Sequence, residues 1–261
     1  LLMEITGLVG ATESVVLVPG LLGAGIGALI FTGLGHLTGR GTFSLAIPNL
    51  PAAGRPTWPE LGWAVAVGIA AALLCWLIRR TALSTRGTVE RYTVPMTIVI
   101  GLAVAGLAIA YAAATSHGSG DVLFSGQDQL PSLIEHAGGY SVAALLLLAL
   151  CKSLAYAGSL TAFRGGPTFP AMFIGAVGGM ALSHLPGLGL IPGVAIGIGA
   201  MLVAMLRLPL TAVLLTCLFL ASDGVLVMPL VIVAVVVSHV TTIRLTPAPE
   251  PASEPASSAA T

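Results

Sequence analysis

Between Gly165 and Leu206 the chain has no acidic residue and no basic one except His184. Wound as one α-helix, this stretch would measure about 60 Å, twice the hydrocarbon core of a bilayer. It must break. The segment SHLPGLGLIPG (183–193) holds Pro186, Pro192 and three glycines, which are strong helix breakers. Two helices are expected, near 168–184 and 191–206. Arg207-Leu208-Pro209 breaks the chain again, and a short helix near 209–221 follows. Asp223-Gly224 reads as a turn before a last span near 226–243. Three apolar pieces in a row are thus shorter than an ordinary span. Broken backbone at membrane depth is tolerated only inside protein or against a wet cavity. The pattern points to a transport fold and away from plain anchors.

Upstream, charge also acts as punctuation. No Asp, Glu, Lys or Arg falls between Glu13 and Arg40, Glu60 and Arg79, or Arg91 and Asp121. These gaps predict spans near 15–38, 61–78 and 94–115. A further span near 141–163 is interrupted only by Lys152. Charged residues make up 8% of the chain and mean hydropathy is +1.03, against about 25% charge in soluble domains. Lipid must therefore be most of its solvent. The fold class is all-α and polytopic, in an integral membrane protein.

Loops follow from composition. Residues 39–59, rich in Pro and Gly, read as an external loop, with Trp58 and Trp63 near an interface. Residues 79–91 carry Arg79, Arg80, Arg86 and Arg91 and read as a cytoplasmic loop by the positive-inside rule. Residues 116–139, with Asp121, Asp128 and Glu135, fall outside. Residues 244–261 form a Pro/Ala/Ser-rich tail expected to be disordered. The opening LLMEITGLVG resembles the end of a helix already under way, so the chain is expected to be a fragment with spans upstream.

Several function classes fall away. Ten basic and ten acidic residues cancel, leaving no basic face for nucleic acid. His36, His117, His136, His184 and His239 lack ligand spacing, so no metal site is expected. Cys75, Cys151 and Cys217 lie far apart in apolar stretches and read as small buried hydrophobes. No nucleophile–base pair or nucleotide motif is present. The chain is not expected to be an enzyme or to hold a cofactor.

The most informative stretch is Arg164-Gly165-Gly166-Pro167-Thr168-Phe169-Pro170. Two glycines allow close backbone approach to a ligand, and Pro suits a first helical turn. Free amides at that helix start, with its dipole, suit an anion. The alternative is an ordinary helix start in a loop. Lys152 either faces an anion vestibule and raises the local anion concentration or snorkels to the interface. Arg164 is a second vestibule candidate or a helix-end anchor. Glu4 is an intramembrane acid or a helix-end acid at the interface. Val18-Pro19 after Glu13 and Met228-Pro229 after Asp223 hint at a duplicated helix pair.

GGPTFPAMFIGAVGG, GIGAMLVAMLRLPLTAVLL and SDGVLVMPLVIVAVV, in that order, resemble the C-terminal half of the CLC family of chloride channels and proton–chloride antiporters. The form is close to actinobacterial members. The family's Gly-Gly-x-Phe-x-Pro signature opens a half-helix whose amides bind chloride. Its Arg-x-Pro-Leu-Thr turn is matched by Arg207 to Thr211. The resemblance is close over 140–243 and looser over 1–139. It implies an inverted-repeat fold, with residues 1–38 ending the first repeat and 60–243 forming the second. It further implies chloride as substrate, possible coupling to protons, and a bacterial plasma membrane. A homodimer is implied through helices near 15–38 and 209–243. Glu4 matches the family position of an inner proton-relay glutamate.

The departures are specific. Pro167 replaces the first amide donor of the family pattern, and Thr168 stands at the Phe position. Thr168 is expected to restore part of the lost coordination through its amide and hydroxyl. The family's late Tyr has no counterpart beyond Tyr156. The segments carrying the family's central serine and gating glutamate are not in this sequence. Two alternatives to CLC-type transport are a broken-helix carrier for another small substrate and a truncated, non-transporting relative.

Overall fold

The computed structural model describes residues 13–39, 46–47, 50–163 and 165–246. Nine α-helices and three short 3-10 turns are found among them. The helices are α1 Glu13–Thr38, α2 Trp58–Arg91, α3 Thr93–Thr115, α4 Leu130–Glu135 and α5 Val142–Ala162, then α6 Thr168–Ser183, α7 Leu190–Leu206, α8 Pro209–Phe219 and α9 Gly224–Leu245. Helices α1, α2, α3, α5 and α9 are long and apolar enough to cross a membrane, while α6, α7 and α8 are shorter apolar helices. The breaks expected at 184–191 and 207–209 occur, between Ser183 and Leu190 and between Leu206 and Pro209.

Three expectations are corrected. Residues 79–91 are not a loop: α2 runs unbroken for 34 residues to Arg91, about 51 Å at the helical rise. Arg residues are good helix formers, and no Pro interrupts them, so charge ends the membrane span without ending the helix. Trp58, read as part of the loop 39–59, instead opens α2. Residues 116–139 are not all loop, since they contain α4 and two 3-10 turns. Glu60 holds the start of α2. Its carboxylate accepts from Thr57 N at 2.8 Å and from Gly189 N at 3.3 Å. The first bond caps α2, and the second ties α2 to the α6–α7 turn.

That turn marks one end of the bundle. Trp63 Nε1 donates to Pro186 O, Ile47 N to Phe219 O, and Ala53 N to Asp223 Oδ2. Ile47 and Ala53 therefore lie against the α8–α9 turn. At the other end Arg79 Nη2 donates to Met205 O at 2.7 Å, which caps the last turn of α7 with a cation.

The core lies in α6 and α7, where 10 of 16 and 15 of 17 residues are buried. Gly175 and Gly179 face Gly197 and Gly193. A Cβ on Gly175 would overlap Gly197 O, and one on Gly179 would overlap Gly193 O. Small residues at this spacing let two helices approach closely in lipid, where dispersion and not hydrophobicity drives association. Outside this pair, α9 packs on α2 where Gly68 meets Ala234 O, and Ser238 donates to Ala200 O on α7. α1 stands apart, with none of Pro19–Thr38 buried.

Candidate functional site

α6 ends at the Trp63–Pro186 end of the bundle, so its start lies about 24 Å inward. That is short of a hydrocarbon core of about 30 Å, so α6 is too short for a full span. Pro167 is its cap residue, and its carbonyl accepts from Ala171 N at 3.1 Å. A helix start ordinarily leaves four amides unpaired. Here Pro167 and Pro170 have no N–H to offer. The amides of Gly165, Gly166, Thr168 and Phe169 remain, and none has a hydrogen-bond partner among the described residues. The Thr168 hydroxyl has none either.

This helix start opens into a cavity of about 600 Å³ lined by Gly165, Gly166, Thr168, Phe169 and Pro170. The facing wall is a stripe of α5: Lys152, Tyr156, Ser159 and Phe163. Their spacing of i, i+4, i+7 and i+11 places them on one helical face. Phe124 and Ser125 complete the rim from the loop before α4. This loop is tightly shaped. Phe124 has φ 57, uncommon for a bulky residue. Gly126 has φ 86, and a Cβ there would overlap the Phe173 ring of α6, so only glycine fits.

Lys152 does not snorkel. It is 2% exposed. Its ammonium donates to Leu123 O at 2.8 Å and Asp121 O at 3.2 Å, and sits 4.5 Å from the Phe173 ring centroid. Two carbonyls and a π face replace the water a buried cation loses. The same contacts pin the loop across the cavity rim. Asp121 continues the network: its Oδ2 accepts from the Tyr140 hydroxyl at 3.4 Å, and Tyr140 stacks on His117 at 4.0 Å. Burial raises the Asp121 carboxyl above its ordinary range, opposed by the Tyr140 bond and the charges of His117 and Lys152. Burial and the facing Asp121 carboxylate push the Tyr140 hydroxyl up.

Sequence reading named Gly165, Gly166, Thr168, Phe169, Pro170 and Lys152, and the fold brings all six to one cavity. Pro167 is not among the lining residues. Arg164 and Glu4 lie outside the described residues. The reading missed Tyr156, Ser159 and Phe163, which counting from Lys152 at helical spacing would have found. Phe124 and Ser125 carry no such signal, because only the fold returns that loop to α5.

A model of the voltage-gated chloride channel family matches residues 2–242. The chain belongs to that family. No curated protein and no solved structure matches it. Family membership accounts for the all-α polytopic fold with broken helices, and makes the chain an integral membrane protein of a family that transports anions. The Gly165-Gly166-Pro167-Thr168-Phe169-Pro170 segment that carries the resemblance opens α6.

Proposed function

We propose that the chain carries chloride or a similar small anion, held in the 600 Å³ cavity against the start of α6. The observation that carries this reading is the set of donors left open there. The amides of Gly165, Gly166, Thr168 and Phe169 and the Thr168 hydroxyl have no partner among the described residues, and all four residues border one cavity. A helix start supplies partial positive charge without a full cation, so an anion binds and leaves. The two prolines reduce the donor set, and the Thr168 hydroxyl offsets part of that loss. Lys152 adds one charge to the cavity wall. Its ammonium bonds only carbonyls and has the Asp121 carboxylate at longer range, and the charge that remains raises the local anion concentration.

The exposed faces of α1 and of α8, with Leu214 and Leu218 on the latter, suit a second copy of the chain, as in the family's homodimers. Protons are a second possible cargo, with Glu4 as the relay candidate. One experiment addresses these readings together. Chloride efflux from proteoliposomes holding the full-length protein is recorded with simultaneous external pH. Thr168→Val is expected to cut efflux about tenfold, the cost of one hydrogen bond to a charged partner. Unchanged flux and selectivity in Thr168→Val would remove the site. Stoichiometric proton movement, lost in Glu4→Gln, would mark an exchanger; its absence would mark a channel.

A further inference from the structure

Phe124 is bulky, open and strained at once. It lines the cavity at the start of α6, yet it is 82% exposed. A lining residue that stays so open sits where the cavity meets its surroundings. Its φ of 57 is the left-handed conformation, which glycine adopts freely and a bulky side chain rarely takes. Backbone outliers of this kind persist only where the surrounding structure over-determines them, and they cluster at functional sites.

The chain is held on both sides of this residue. Before it, Leu123 O and Asp121 O accept from Lys152 Nζ at 2.8 and 3.2 Å, and Val122 between them is buried. After it, Gly126 with φ 86 lies so close to the Phe173 ring that a Cβ would overlap it, and its carbonyl accepts from Leu130 N at 3.1 Å. Position 124 is therefore set by one anchor on α5 and one on α6, the two helices that wall the cavity. The Phe124 ring has no such tie. It pairs with no other aromatic ring among the described residues, and it turns about its own side-chain bonds alone. Glycine would suit the backbone at this position better. What phenylalanine adds is a ring at the opening.

We infer that Phe124 is a specificity residue, which selects by size the anions that enter the α6 cavity. The inference rests on the reading of that cavity as an anion site. A ring held at the opening by a fixed backbone narrows the way for bulky anions, and leaves small ones room as it turns. Its C–H edge is the positive part of the ring quadrupole, so an anion passes along that edge without repulsion. Phe163, 45% exposed, is a second open aromatic residue on the cavity wall. The route to the Thr168 donors thus begins against aromatic carbon and ends on hydrogen-bond donors. The cargo class is a small monoatomic or planar anion, such as chloride or nitrate, with bulky carboxylates kept out.

The test uses the full-length protein in proteoliposomes, with efflux of chloride, nitrate and gluconate measured separately. Phe124→Ala is expected to raise the gluconate-to-chloride ratio about tenfold, the low end of what one steric contact in a pocket discriminates. Phe124→Gly is expected to raise it likewise, and also to raise the unfolding temperature, because glycine takes φ 57 without strain. Ile109→Ala, exposed on α3 and outside the cavity wall, leaves the ratio unchanged. An unchanged ratio in both Phe124→Ala and Phe124→Gly overturns the inference and leaves Phe124 an ordinary exposed side chain. Thr168→Val separates this inference from the reading it rests on. A ratio that moves with Phe124 while chloride efflux ignores Thr168→Val removes the helix-start site and keeps the selecting ring. The reverse pattern keeps the site and removes the ring.

Discussion

α1 and the α6–α7 pair are written in nearly the same residues and do opposite things. Both are apolar and rich in glycine. Yet a Cβ on Gly23, Gly25, Gly27 or Gly33 of α1 would meet nothing, whereas one on Gly175, Gly179 or Gly197 would strike facing backbone. The side chains of α1 stay open, with Leu29 74% and Leu37 85% exposed, while Val194 to Ala204 of α7 are buried throughout. A glycine in an apolar helix is therefore not a packing signal by itself. It becomes one only where a second helix presents glycines at the matching four-residue spacing, so that two backbones meet.

Substitutions sharpen that contrast. Gly197→Leu is expected to cost the most. Overpacking ordinarily costs about 1–3 kcal/mol, and here backbone would have to move, so little monodisperse protein should survive size-exclusion chromatography. Near-wild-type yield and unfolding temperature would mean that α6 and α7 are not as close as described. Lys152→Met comes next. It strands the Asp121 and Leu123 carbonyls beside α6, at about 1–3 kcal/mol for an unmet buried partner. Hydrogen exchange in residues 119–126 should speed up while the α6–α7 core stays protected.

Gly25→Ala on α1 goes the other way. It is expected to be neutral or to stabilise by about 0.5–1 kcal/mol through helix propensity, read as an unchanged or raised unfolding temperature. A marked loss would show that α1 is packed against something as closely as α6 is. The smallest effect is in pH. Asp121 has a raised folded value, so the folded state binds its proton more readily than the unfolded chain. Its favourable contribution is full below the ordinary Asp range and is lost as pH rises through the raised value. Asp121→Asn, which still accepts from Tyr140, should flatten that part of the profile of unfolding temperature against pH. An unchanged profile would place the dependence elsewhere.

Much of this was legible in the chain. Charge-free gaps located the spans, and Pro186, Pro192 and Pro209 located the breaks. Gly165-Gly166 followed by Thr168 and Phe169 marked the helix start at the candidate site. What escaped has two physical causes. Arg79 to Arg91 suggested a loop because charge leaves the membrane there, but leaving lipid does not oblige a helix to stop. Phe124 and Ser125 escaped because loop residues carry no periodicity tying them to a distant helix.

The sequence by itself determined that the chain lives in lipid, where its helices break, and which helix start lacks amides at Pro167 and Pro170. These follow from local quantities: transfer cost, backbone geometry and donor count. Only the tertiary structure decided that Lys152 is buried under carbonyls and does not reach for water, and that Arg207 meets the carbonyl of Thr246 just past α9. It also decided which glycines matter. Burial, pairing and close approach are relations between segments far apart in the chain, and a glycine or a lysine has no energy of contact until its neighbour is in place.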